Sequence, residues 1–311
     1  MGGPVLICKQ SDPQWRDEHK AVLGASLAAA VLGLDDKEEA LGVFAQMKGL
    51  APDKEVTEPM AWGTAFETAI GQRVAQEKDL LQEYGWADAV YSTDGGFYRS
   101  GEWPWLGATL DGRIGPASLP HEKRVQAEMK ATTLGALWED GVPLKVQVQA
   151  QQQIAVMESE ETIVGVFTGM RNPPGWARIR RNEKLIRELL VPVTKEFMER
   201  VKKGEAPPLR HAGNAETQMA ALRAIFPESD GRVVNLADEL VAVAIAFEQA
   251  KAEEKAQKGE AQRLGNILRE AIGKGAFGLL PNGWKYKYVE QSRAGYTVEA
   301  TTSRPLVKVK N

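Results

Sequence analysis

Residues 103–133 read WPWLGATLDGRIGPASLPHEKRVQAEMKATT. The apolar run 105–110 has the character of a buried strand and breaks at Asp111-Gly112, a strong turn dipeptide. Beyond it, Val125, Ala127 and Met129 alternate with Gln126, Glu128 and Lys130. A period of two predicts a strand with one apolar and one polar face, so Glu128 and Lys130 project from the same side. If the two strands pair, Asp111 and Glu128 approach each other with Lys130 beside them.

Carboxylates that close repel, and one pKa rises unless a cation lies between them. Hard oxygen ligands suit Mg2+, with Mn2+ as a substitute, and such ions take a substrate phosphate as a further ligand. A bound metal of this kind polarises a phosphodiester and activates water. A neighbouring ammonium positions the nucleophile or offsets developing charge. These parts hydrolyse phosphodiesters. The same three residues would also suit a strand-turn-strand with a solvated face, so the rest of the chain decides.

The 311 residues are 43% hydrophobic and 26% charged, the make-up of a globular chain with a full core. No apolar run reaches membrane-span length, and the N-terminus does not read as a signal peptide. One cysteine and three histidines exclude a disulfide framework, a cysteine-based zinc site and a His-rich metal site. The expected setting is a reducing cytoplasm. A net charge of −3 does not exclude a nucleic-acid partner, because an acidic metal centre can coexist with a local basic groove.

Ser11-Asp12-Pro13 predicts a helix start, followed by Trp15 and His19 at helical spacing. Gly33 reads as a helix stop, Asp35-Asp36 as a cap, and Thr57-Glu58-Pro59 as the start of a helix carrying Glu67. Residues 143–157 read as a helix with glutamines at 147, 149, 151, 152 and 153. Strands are expected at 162–168 and 177–181, and a helix over 182–203. The fold class is α/β, with a central mixed sheet flanked by helices. A linker at 204–213, containing Pro207-Pro208, suggests a division into 1–205 and 206–311. In the second part Leu236, Leu240, Val243, Phe247 and Ala250 step as a heptad seam, and Leu264, Ile267, Leu268 and Ala271 form a second apolar stripe. A helical hairpin is expected there, then short strands around 284–289 and 306–310.

In order along the chain, these motifs resemble the YqaJ-like viral recombinases, which belong with the phage lambda exonuclease group of PD-(D/E)xK nucleases. The likeness covers roughly residues 11–200. It rests on Trp15 with Gly24-Ala25-Ser26, on Trp62-Gly63-Thr64-Ala65-Phe66-Glu67, on 106–112, on Glu128-Met129-Lys130 and on Gln149-Ala150-Gln151. The resemblance implies a nuclease core over 1–205, with metal binding at Asp111, Glu128 and Met129 and with Glu67 near the same centre. Lys130 would position or activate the attacking water, and Gln149 or Gln151 would orient groups. Gln147 and Gln153 are expected on the helix surface. Ser26, His19 and Arg16 are the candidates for a DNA phosphate, with His19 standing where the family has an arginine.

The implied activity is Mg2+-dependent 5′-to-3′ exonuclease digestion of double-stranded DNA, in a bacterial or phage-infected cell. It would feed a single-strand annealing protein, and a ring-like homo-oligomer is implied. The alternatives are an endonuclease on the same fold and a non-catalytic DNA-binding assembly factor. The C-terminal part, where Lys274, Lys285, Lys287 and Arg304 interleave with Trp284, Tyr286 and Tyr288, would serve as a stabilising appendage or as a DNA or partner contact.

Overall fold

The structure is a computed structural model. It describes residues 2–35, 37–51, 55–169, 174–210, 213–290 and 306, and at Arg16 the backbone alone. The chain divides into two compact units, Met1–Pro227 and Glu228–Asn311.

The first unit runs β1 (Val5–Lys9), α1 (Trp15–Ala21), β2 (Leu23–Gly24), a 3-10 turn (Ala25–Leu27), α2 (Ala28–Val31), α3 (Ala40–Met47), α4 (Glu58–Val74) and α5 (Lys78–Tyr84). Then come β3 (Val90–Thr93), β4 (Gly96–Arg99), β5 (Leu106–Thr109), β6 (Gly112–Gly115), β7 (Val125–Ala131), α6 (Leu144–Met157), β8 (Glu161–Phe167) and β9 (Gly175–Arg180). A helical run closes the unit: α7 (Glu183–Leu185), a π turn (Ile186–Leu190), α8 (Val191–Lys203) and α9 (Ala215–Ile225).

Two sheets form. One has the order β3-β6-β7-β8-β9 and the other β1-β4-β5-β2. Within the first, β7 and β8 are parallel and joined through α6, while the other neighbours are antiparallel, so the sheet is mixed as expected. Helix α4 covers one face, where Ile70 and Val74 pack with Ile114, Ala127, Met129 and Ile163. The opposite face meets α6, whose Val146 and Ala150 pack on Val164. The same helix reaches the second sheet, with Val148, Ile154 and Ala155 against Leu106 and Ala108.

The two strands of the opening motif do not pair with each other. Strand β7 pairs with β6, with Gly112 opposite Ala127. Strand β5 belongs to the other sheet, beside β4 and β2. The break at Asp111 is therefore the point where one strand path leaves one sheet for the other, rather than the turn of a hairpin. Asp111 still approaches Glu128, because β6 begins at the next residue.

Three other expectations are corrected. Asp36 lies outside the described residues, and α3 begins at Ala40 after the extended residue Glu39 rather than at an Asp cap. The division falls after Pro227, not at 205. Asn214 caps α9 by accepting from the N–H groups of Glu216 and Thr217 at 3.0 and 3.1 Å, and Ile225 joins the core around Val43, Phe44 and Met47. The Pro-rich stretch at 204–213 is thus a connection within the first unit.

Among the described residues, the second unit shows no helical hairpin; α10 is one helix over Leu240–Ile272. Residues 250–261 are mostly Ala, Lys, Glu and Gln, strong helix formers, and the single Gly259 is too small a penalty to end the helix. Its seam residues Leu240, Val243 and Phe247 are exposed. Of the expected short strands, the one around 284–289 is present as β11 (Lys285–Lys287); it pairs antiparallel with β10 (Phe277–Leu279), a strand not expected from the sequence, with the Lys285 ammonium 4.3 Å from the Phe277 ring centre. The strand expected at 306–310 lies outside the described residues except for Leu306. Among the described residues, no helix is long and apolar enough to cross a membrane.

Candidate active site

Glu128 occupies the middle of β7 and is 2% exposed. The polar face that the alternation predicts is turned inward beneath α6, which must then supply polar partners. Three donors meet the carboxylate. Gln149 Nε2 donates to Oε1 at 2.7 Å, Gln153 Nε2 donates to Oε2 at 2.5 Å, and Lys130 Nζ lies 2.5 Å from Oε1. Gln149 and Gln153 are one helical turn apart, so both project from one face of α6. Gln153 also donates to the Thr109 carbonyl at 3.2 Å, which ties the base of the site to the second sheet.

Asp111 stands at the junction of β5 and β6. Its Oδ2 accepts from the Met129 N–H at 2.7 Å, and its own carbonyl accepts from the Tyr91 hydroxyl at 2.9 Å. Tyr91 fits because two neighbours are glycine: a Cβ on Gly71 or on Gly112 would lie 2.4 or 2.5 Å from its ring. Burial pushes the Asp111 pKa well above the carboxylate range, and the charges of Glu128 and Glu67 add to the shift against Lys130. Glu67, from α4, is half-buried; burial and then the Glu128 charge raise its pKa too, with Lys130 opposing. For Lys130, burial favours the neutral amine, but Glu128, Asp111 and Glu67 outweigh it and raise its pKa. The acidic groups around it thus favour its ammonium form.

The other expected residues separate. Gln151 is not at the site: its Nε2 donates to the Arg180 carbonyl and its Oε1 accepts from the Asn182 N–H, at 2.7 and 2.9 Å. Gln153, expected on the surface, is fully buried and takes its place beside Glu128. The spacing from Gln149 carries that signal, since i and i+4 share a face. Gln147 is exposed, as expected. Gln152 is structural and donates to the carbonyls of Leu23 and Gly107 at 2.7 and 2.9 Å. The Met129 side chain lies among Ile70, Val74 and Ile163, so any metal ligation by Met129 would come from its main-chain carbonyl.

His19 is packed within an aromatic group rather than presented as a charged side chain. Its ring stacks on Phe97 at 4.5 Å and tilts against Trp15 at 4.6 Å, and burial lowers its pKa to about 4. A neutral, stacked imidazole does not replace an arginine fork. Gly24 accommodates it, because a Cβ there would lie 2.4 Å from Cε1. The Arg16 side chain lies outside the described residues. Ser26 is exposed and lines a cleft of about 640 Å³ together with Lys37, Lys130, Thr132, Lys145 and Gln149.

The YqaJ-like viral recombinase domain matches residues 14–170, just over half of the chain. The chain belongs to this family. No curated protein matches it significantly. Among solved structures, the alkaline exonuclease LHK-Exo from Laribacter hongkongensis is similar at 18% identity and a TM-score of 0.46, over 62% of this chain and 94% of that one. LHK-Exo in complex with dAMP is similar at 17% identity and a TM-score of 0.47, with the same coverage.

The residues of this YqaJ-like chain fit a divalent cation. Asp111, Glu128 and Glu67 lie within electrostatic reach of Lys130, although among the described residues no three His, Cys, Asp or Glu side chains form a ready-made metal cluster. Thr109 Oγ1 and Gln153 Oε1 are buried oxygens without a hydrogen-bond partner among the described residues. An oxygen-rich pocket with excess negative charge suits a hard cation. The amide at 153 is testable on its own. Gln153→Met keeps the volume and removes both donors, so cleavage is expected to fall about 10–100-fold, the usual cost of losing an outer partner of a metal ligand. Single-turnover rates measured beside Gln147→Met, which changes only the surface, check this.

Proposed function

We propose that this chain is a metal-dependent deoxyribonuclease with a PD-(D/E)xK core that hydrolyses double-stranded DNA. In this reading it acts 5′ to 3′ from an end and supplies single strands to an annealing protein in phage-type recombination. The observation that carries the reading is the convergence of Asp111, Glu128 and Lys130 from one strand and one strand junction, with Glu67 close by, beside an open cleft. A DNA-binding assembly factor has no need of a buried carboxylate held by two amides and an ammonium.

Asp111 and Glu128 would hold Mg2+ or Mn2+, which supplies Lewis-acid polarisation of the phosphodiester. Gln149 and Gln153 fix the Glu128 carboxylate, so it is oriented before substrate arrives. Lys130, charged and about a third exposed, extends toward the cleft; it would orient the attacking water and offset the negative charge that builds on the phosphate. Ser26, Lys37 and Lys145 line the same cleft and offer a hydroxyl and two cations to DNA phosphates.

Digestion of linear and covalently closed circular duplex DNA in Mg2+ tests the reading, with Glu128→Ala as control. Loss of the linear substrate alone is expected. Nicking of the circle would replace the exonuclease with an endonuclease. No cleavage of either by a folded protein that still binds DNA would leave an assembly factor.

A further inference from the structure

The strand paths 90–99 and 106–115 run antiparallel, and both leave one sheet for the other at the same level. Thr93 pairs with Gly112 in the five-stranded sheet, and Phe97 pairs with Thr109 in the four-stranded one. Main-chain bonds hold the two bends together: the Asp94 N–H donates to the Asp111 carbonyl at 3.2 Å, and the Gly95 N–H donates to the Leu110 carbonyl at 3.0 Å. Gly95 has φ +62°, a left-handed conformation that favours glycine.

The Asp94 side chain spans this double bend and is 4% exposed. Its Oδ1 accepts from the Gly96 N–H at 3.1 Å and the Tyr98 hydroxyl at 2.8 Å, on the side of β4. Its Oδ2 accepts from Arg113 Nε at 2.9 Å, two residues beyond Asp111 on β6, and lies 3.2 Å from His121 Nε2. His121 Nδ1 in turn lies 2.9 Å from the Ser92 hydroxyl on β3. One carboxylate therefore joins both sheets at the point where a carboxylate of the active site leaves the backbone. A buried ion pair is weak evidence for stability, because desolvation offsets its attraction; fixing one geometry is the better reason for its presence.

We infer that Asp94, held by Arg113 and His121, is a positioning residue that sets the bend and thereby the approach of Asp111 to Glu128 and Lys130. The inference rests on the nuclease reading above. Its effect is on the preorganisation of the metal-binding carboxylates.

The test is Mn2+ binding to the full chain by calorimetry, with kcat and KM for linear duplex DNA measured beside it. Asp94→Ala is expected to weaken Mn2+ binding and lower kcat by about tenfold or more, within the range for residues that support metal ligands, with KM for DNA unchanged. Asp94→Asn retains an oxygen for Gly96 and Tyr98 and is expected to recover part of the loss. Thr194→Val, which removes a buried hydroxyl from α8, controls for simple destabilisation and should lower Tm with Mn2+ affinity unchanged. If Asp94→Ala does not fold, His121→Ala serves in its place, with a loss of a few-fold expected. Wild-type Mn2+ affinity in the folded variant overturns the inference and leaves the nuclease reading intact. Failure of the wild type to bind Mn2+ or cut DNA overturns both.

Discussion

Glu128→Ala leaves a folded protein whose cleavage rate is lower by on the order of 10³, the upper range for removing one preorganised electrostatic group. Asp111→Ala behaves the same way. The two carboxylates come from different elements, so neither can replace the other, and among the described residues the half-buried Glu67 is the further acidic side chain within their electrostatic reach. The stability effect has the opposite sign. Asp111, Glu128 and Glu67 repel one another in a partly buried space with one ammonium among them. Asp111→Asn removes one of those charges and can still accept the Met129 N–H. In chelator it is therefore expected to melt a few degrees above wild type, the scale of about 1 kcal/mol in a domain of this size. Single-turnover digestion and thermal melts on the same preparations check both halves. Full activity in Glu128→Ala would remove the site assignment altogether.

Lys130→Met separates chemistry from metal binding. The substitution keeps an aliphatic stem against the sheet and removes only the charge. Cleavage is expected to fall by about 10²–10³, as for loss of a group that stabilises charge in the transition state. Mn2+ affinity should hold or improve, since an ammonium and a metal ion compete for the same carboxylates. Equal losses in cleavage and in Mn2+ affinity would mean that Lys130 only shapes the metal site. Without a bound metal, the carboxylates of Glu128, Asp111 and Glu67 raise the Lys130 pKa and favour its ammonium form.

Much of this arrangement is legible in the sequence because it rests on period. The alternation of Val125–Lys130 sets which side chains of β7 share a face, and helical spacing finds both α4 and α6. The failures come where a local signal has two tertiary outcomes. Asp111-Gly112 reads as a hairpin turn and is instead a crossing between sheets, since a turn dipeptide reports a local bend and not the partner of the next strand. Gln151 and Gln153 look alike in a run of glutamines, and only the packing of α6 against two sheets divides them. His19 sits at helical spacing like any surface histidine, and its burial depends on Phe97, far along the chain. Asp94-Gly95-Gly96 has the composition of an ordinary turn, and nothing local marks its ion pair, because the partner Arg113 belongs to another strand. In the second unit, an apolar seam interrupted by charge reads as two helices, while propensity alone carries one helix through.

Helix α6 sends its amides to separate destinations: Gln149 and Gln153 to Glu128, Gln152 to the carbonyls of β2 and β5, and Gln151 to the segment after β9. The helix is thus pinned in rotation as well as in position. One residue inserted near its start would turn every later side chain by about 100° and misdirect all four amides at once. Its apolar residues, which point to more than one side, would still find much to bury. Such a chain would fold, yet hold Glu128 without its partners, so tolerance of insertions should end abruptly at Leu144.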